Sequence, residues 1–262
     1  MDAGTDAYSV AIGYLAGENI TTGIRNVLIG GLAGDALTTG SSNIAIGLQA
    51  LSTEDGHGLN IAIGHNALAS LNAGADGYNV AIGHLAGEDM TTGIQNTIVG
   101  GLAGDALTTG SNNVALGYNA LSTEDTGARN TAIGSGTLAS MNYNGNGYNV
   151  AVGYNAGTTI TTGRYNALVG ASAGLAITTG ERNTALGYRA LYTNDDGDNN
   201  VAIGYQALYT LDPASNVDMY NVAVGYTAGY ALTTGTNNVI IGGEAGDTLT
   251  TGTDNIAIGR QA

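Results

Sequence analysis

The residues of this 262-residue chain with chemical potential fall into three small groups. The first is acidic: Glu54-Asp55-Gly56, Glu124-Asp125 and Asn194-Asp195-Asp196-Gly197-Asp198 carry the hard oxygen ligands that calcium takes, with Asp195, Asp196 and Asp198 as the metal candidates. Their spacing matches neither the EF-hand nor the nonapeptide calcium repeat, and Asp, Asn and Gly are also what a solvated turn requires. The second is the pair His65 and His84, whose imidazoles could share a metal. Tyrosine is the common residue at their equivalent positions, so a surface rank is the plainer reading. The third comprises Tyr14, Tyr118, Tyr154, Tyr188, Tyr205 and Tyr226, aromatic faces of the kind that meet sugars.

Catalysis finds no foothold. The chain has no lysine and hence no phosphate-loop motif. No nucleophile sits with a histidine and an acid, and no catalytic or cofactor-binding residue is assigned. Glycoside hydrolysis would need two carboxylates about 5 to 10 Å apart; here the acids lie in turns. Six arginines against 21 carboxylates, a net charge of −15, argue against nucleic acid. No apolar run approaches membrane-spanning length. The absence of cysteine leaves the redox compartment open.

These residues are positioned by a repeat. Asn-Val-Ala-Ile-Gly and its variants occur fifteen times, the glycines stepping by 17, 17, 17 and 19 residues, then again, then by 17, 17, 17 and 21. A fixed short period marks a solenoid, in which each unit is completed by its neighbours. The fold class is all-β, a parallel β-solenoid of about fifteen coils, one domain over residues 1–262. Blocks of four coils start near residues 9, 79, 149 and 221, the last incomplete.

Within a coil, numbered from its asparagine, position 1 is Asn26, Asn43, Asn60, Asn79, Asn96, Asn113, Asn130, Asn149, Asn166, Asn183, Asn200, Asn221, Asn238 or Asn255, with Ser9 the exception. So regular a rank predicts a structural ladder of stacked amides. Positions 2 and 4 are β-branched or aliphatic, alternate in a strand, and are expected to fill the interior. Position 3 then faces outward. It is alanine except at Leu28, Ile98, Leu168 and Ile240, and these four predict an inter-chain seam covered by other copies of the chain. Position 9 is glycine in the first two coils of a block, which also carry Thr-Thr-Gly corners, and leucine in the last two. The threonine corners suggest ice binding, but one outward threonine per coil, in pairs interrupted by two coils, makes a poor lattice.

The phrase Asn-Val-Ala-Ile-Gly-Tyr-x-Ala resembles the head repeats of trimeric autotransporter adhesins, and Asn200 to Thr210 is similar to the 17-residue repeats of phage tail-fibre-like and large bacterial surface proteins. The resemblance implies a left-handed β-roll, lateral trimers, and a place on a cell surface or virion fibre. The expected function is a structural or adhesive extracellular fibre segment, associating as a lateral trimer or head-to-tail filament, with surface carbohydrate as a further partner. The alternative is a receptor- or carbohydrate-binding, even carbohydrate-active, tail-fibre domain. No cofactor beyond calcium is expected. Met1 to Gly13 aligns without a gap on Met141 to Gly153, so the chain reads as an excerpt of a longer repetitive protein.

Overall fold

A computed structural model describes residues 8–262; Met1 lies outside them. Among the described residues there is no helix, and so none long and apolar enough to cross a membrane. Fifteen three-residue strands occur one per coil, from Val10–Ile12 to Ile256–Ile258, giving a parallel β-solenoid. The chain divides into two compact units, one ending at Arg129 and the other running from Asn130 to Ala262. In the first, coils 1 to 7 pair strand on strand in parallel, as Val27 on Ile44 and Ile29 on Ile46. In the second, coils 8 to 15 do the same, and a small parallel pair, Gly197–Asp198 with Val217–Asp218, forms beside coil 12.

The register is one coil to the next with no slip, because three features repeat at the same positions. The first is the glycine that ends each strand. Gly30 has φ +136°, and a Cβ on it would lie 2.3 Å from the Gly47 carbonyl oxygen of the next coil. Only glycine fits there.

The second is the asparagine. The Asn43 N–H donates to Asn26 Oδ1 at 2.9 Å, while Asn26 Nδ2 donates to the Gly40 carbonyl at 2.8 Å. Asn60, Asn96, Asn113, Asn166, Asn183 and Asn200 donate to the preceding amide in the same way. At the first coil Ser9 Oγ takes the acceptor role, 3.0 Å from the Asn26 nitrogen. The amides are buried, so each satisfies backbone groups that water cannot reach.

The third is the corner backbone. Positions 7, 9 and 17 take a left-handed conformation, as at Leu32 (φ 56°), Gly34 (φ +56°) and Ser42 (φ 60°). For side-chain-bearing residues this costs about 1 kcal/mol or more each. It turns their N–H groups along the stack: Leu32 donates to the Tyr14 carbonyl at 2.8 Å, Gly34 to Ala50 at 3.0 Å and Ser42 to Ile24 at 2.9 Å. The strain is offset by pairing corner amides that would otherwise be buried without partners.

The interior is built from positions 3, 8, 9 and 12, which reverses the expected facing of the strand. Leu28, Ile98, Leu168 and Ile240 are wholly buried inside their own units and do not form an inter-chain seam. The reason is the asparagine: its amide must point inward to reach the corner carbonyl, and side chains two apart share a face, so position 3 points inward too. The four large residues fill the room left by glycine at position 9. A Cβ on Gly34 would lie 2.8 Å from Leu28 Cδ2, and one on Gly174 2.8 Å from Leu168 Cδ2. Where position 3 is alanine in the last two coils of a block, Leu51, Leu68, Leu121, Leu138, Leu191 and Leu208 fill the same space from position 9. Large and small alternate, as a close-packed core requires.

Candidate functional site

With position 3 inside, positions 2 and 4 form the outer face of each strand. None of these residues is charged in any of the fifteen coils. In the first unit Ile82 and Leu116 are 37% and 43% exposed; in the second Val150 and Leu186 are 42% and 46% exposed. Each unit therefore presents two parallel columns of Val, Ile, Leu and Thr, with Ala167 among them in the second, at the spacing of the strands. The two columns make a contiguous apolar strip on an acidic protein.

Beside that face in the second unit stand two tyrosine ladders. At position 6, Tyr188, Tyr205 and Tyr226 stack with ring centroids 5.4 and 5.2 Å apart. At position 10, Tyr192, Tyr209 and Tyr230 stack at 5.0 and 5.1 Å, their planes within 4°. The position-10 ladder was missed from sequence because tyrosine occurs there in only three coils, although their spacing of 17 and 21 residues is that of the repeat. Arg189, at position 7, places its guanidinium 5.1 Å from the centroids of both Tyr188 and Tyr192. Beyond the other end of the ladders, Tyr226, Thr227, Tyr230, Glu244 and Asp247 line a cleft of about 340 Å³. Tyr14, Tyr118 and Tyr154 are well exposed, while the stacked rings cover one another's faces and present their edges.

The metal candidates are not assembled into one site. His65 and His84 stack face to face, centroids 5.2 Å apart, an arrangement that does not aim two nitrogens at one ion. Asp195 and Asp196 accept from the Thr178 hydroxyl, and Asp196 also from Thr179. Asp198 turns the other way, accepting from the Glu181 N–H at 2.7 Å and from Arg182 Nη2 at 3.0 Å. Burial raises the Asp198 carboxyl above its ordinary range, opposed by the hydrogen bond from the Glu181 N–H and by Arg182, with the Glu181 and Asp218 carboxylates adding to the rise. Among the described residues, the group of three ligand-type side chains with atoms within 4.8 Å of one another is Glu54, Asp55 and His57.

Glu54 itself is not a turn acid. It occupies position 12, where neighbouring coils hold Leu37 and Leu71, and its side chain is wholly buried. Its Oε1 accepts from the His57 N–H at 3.0 Å and its Oε2 from the Ala73 N–H at 3.1 Å. Glu124 and Asn194, each 70 residues further on, are buried at the same position. Glu124 Oε1 accepts from the Gly127 N–H at 2.8 Å, and Asn194 Nδ2 donates to the Gly197 carbonyl at 2.9 Å. These carboxylates and the amide fold a polar loop back onto its coil; they already hold backbone partners.

The Thr-Thr-Gly corners differ from expectation. Thr21 and Thr22 are both exposed, as are Thr91 and Thr92, whereas Thr38, Thr108, Thr178 and Thr233 are half-buried; the corner is a turn, so the strict two-residue alternation of a strand does not hold throughout. The first hydroxyl donates to the next coil's backbone, as Thr21 Oγ1 to the Thr38 carbonyl at 3.1 Å. Compared with known proteins, the chain matches no family model, no curated sequence and no solved structure.

Proposed function

We propose that the chain is a non-catalytic structural or adhesive segment of an extracellular fibre, which associates with copies of itself. The observation that supports this reading is the outer strand face: two columns of uncharged, mostly aliphatic side chains in every coil, on a molecule of net charge −15. Removing such a face from water against an identical face is favourable, and a parallel repeat offers the same spacing to a second copy at every coil. The association surface is positions 2 and 4, replacing the seam expected at position 3. A lateral trimer and a head-to-tail filament both use identical copies; the aliphatic columns favour the lateral contact.

Sedimentation velocity tests the reading. Wild-type protein is expected to sediment as an oligomer, and Ile46→Asp with Ile203→Asp as a folded monomer. A wild-type monomer at all concentrations, or an unchanged oligomer in the variant, would refute self-association through this face.

A further inference from the structure

We propose that the cleft at the end of the two tyrosine ladders is a binding site for a guanidinium group. The molecule holds a related ring–guanidinium contact at the opposite end of the ladders. In coil 11, Arg189 at position 7 sits between Tyr188 and Tyr192 and lies 5.1 Å from the centroid of each ring. A cation at this distance over a tyrosine face is held by the ring quadrupole. Two coils further on, the same two ladders end at Tyr226 and Tyr230, and position 7 is the small Thr227.

Each terminal ring is covered on one face by its stacked neighbour, Tyr205 or Tyr209. The other face of Tyr226 looks toward Gly243, where even a Cβ would meet nothing within 4 Å. The resulting open cleft, about 340 Å³, is also lined by Glu244 and Asp247. Two aromatic faces and two carboxylates are the complement of a planar cation, since the fork of a guanidinium pairs with a carboxylate while its plane lies on a ring.

Glu244 Oε2 accepts from Gln261 Nε2 at 2.6 Å and lies 3.9 Å from Arg260 Nη2. Arg260 is a loose neighbour, its side chain 79% exposed, and is not among the residues lining the cleft. Asp247 is exposed and turned to the same space. The site therefore takes an arginine side chain of a peptide or a free alkylguanidine, and the two differ in whether flanking amides contribute.

Saturation-transfer NMR on the full chain tests this with N-acetyl-arginine amide, agmatine, the neutral isostere N-acetyl-citrulline amide and methyl glucoside. Saturable binding of the two guanidines is expected, at least fivefold tighter than the citrulline compound and the glucoside. Glu244→Gln with Asp247→Asn should weaken it tenfold or more. Thr227→Arg should weaken it by adding an internal guanidinium beside Tyr226 and Tyr230, Thr227 having φ 50° where Arg189 has φ 53°. Thermal unfolding confirms that both variants fold. Absence of saturable guanidine binding, equal binding of citrulline or glucoside, or binding unchanged in both variants would overturn the proposal. Tighter binding of the arginine amide than of agmatine would assign the site to peptides; the reverse would assign it to small alkylguanidines.

Discussion

The Leu28 side chain stands where a side chain on Gly34 would have to go: a Cβ added to Gly34 would lie 2.8 Å from Leu28 Cδ2. One residue is in a strand and the other in a corner six positions on, and each is the size it is because of the other. Leu51, with φ 54°, shows that leucine is tolerated at the corner position once the strand residue, Ala45, is small.

Exchanging the pair tests this. Leu28→Ala alone should cost about 2–5 kcal/mol by opening a cavity. Gly34→Leu alone should be strongly destabilising through overlap, its Cβ also lying 2.8 Å from Leu37 Cδ1. The double variant should recover about 1–3 kcal/mol relative to the sum. Denaturant unfolding of the four proteins gives the coupling, and simple additivity would contradict the packing account.

The asparagine ladder gives a graded expectation. Asn96→Val removes the acceptor of the Asn113 N–H and the donor to the Gly110 carbonyl. Two buried backbone groups are orphaned, at about 1–3 kcal/mol each. Asn96→Ser should cost less than Asn96→Val, because Ser9 shows that a hydroxyl accepts from the next coil. Equal losses in the two variants would mean that the amide's volume matters and its hydrogen bonds do not.

Much of this was legible in the sequence. Fifteen glycines at steps of 17, 19 or 21 residues define the coil, and the asparagine present in fourteen of fifteen coils defines the ladder. The facing of the strand was not read correctly, because Val and Ile at positions 2 and 4 outweigh alanine at position 3 by size. The information was present: an inward amide at position 1 implies an inward position 3, and glycine at position 9 explains why Leu28, Ile98, Leu168 and Ile240 are large. The left-handed residues gave no signal, since position 7 holds Leu32, Gln49, Asn66 or Arg189 with equal ease. Burial of Glu54 was obscured by the turn residues after it. Counting it at position 12, among leucines and methionines, would have exposed it.

Glu54→Leu should therefore destabilise, although it places an apolar residue in an apolar core. The N–H groups of His57 and Ala73 lose their acceptors, at about 1–3 kcal/mol each. Glu54→Gln keeps one oxygen and should lose less. Thermal unfolding of the two variants decides the point; a leucine variant more stable than wild type would show that the carboxylate is dispensable.

Acidification should stabilise the fold. Burial raises the carboxyls of Asp105, Asp198 and Asp212, with Asp89 and Glu88 adding at Asp105, and Asp195 and Asp196 adding at Asp212. The folded chain thus holds these protons more tightly than the unfolded chain. The stability they contribute is fully present below the ordinary carboxylate range and is lost as pH rises through the raised values. Relief of self-repulsion at net charge −15 acts in the same direction. The unfolding temperature should rise from about pH 7 to about pH 4.5, and Asp105→Asn should flatten that rise. A steady fall over the same interval would contradict the assignment.

Positions 2 and 4 lie outside the coil and, on the proposed self-association, are covered by another copy. The chain has no cysteine, so a single introduced thiol reports on one position. Ala202→Cys and Ile203→Cys, adjacent in one strand, should be compared by thiol-labelling rate across a dilution series. Ala202→Cys should stay unreactive at every concentration while the chain is folded, and Ile203→Cys should be protected when concentrated and react on dilution. Fast labelling of Ile203→Cys at all concentrations, or faster labelling of Ala202→Cys than of Ile203→Cys, would contradict it.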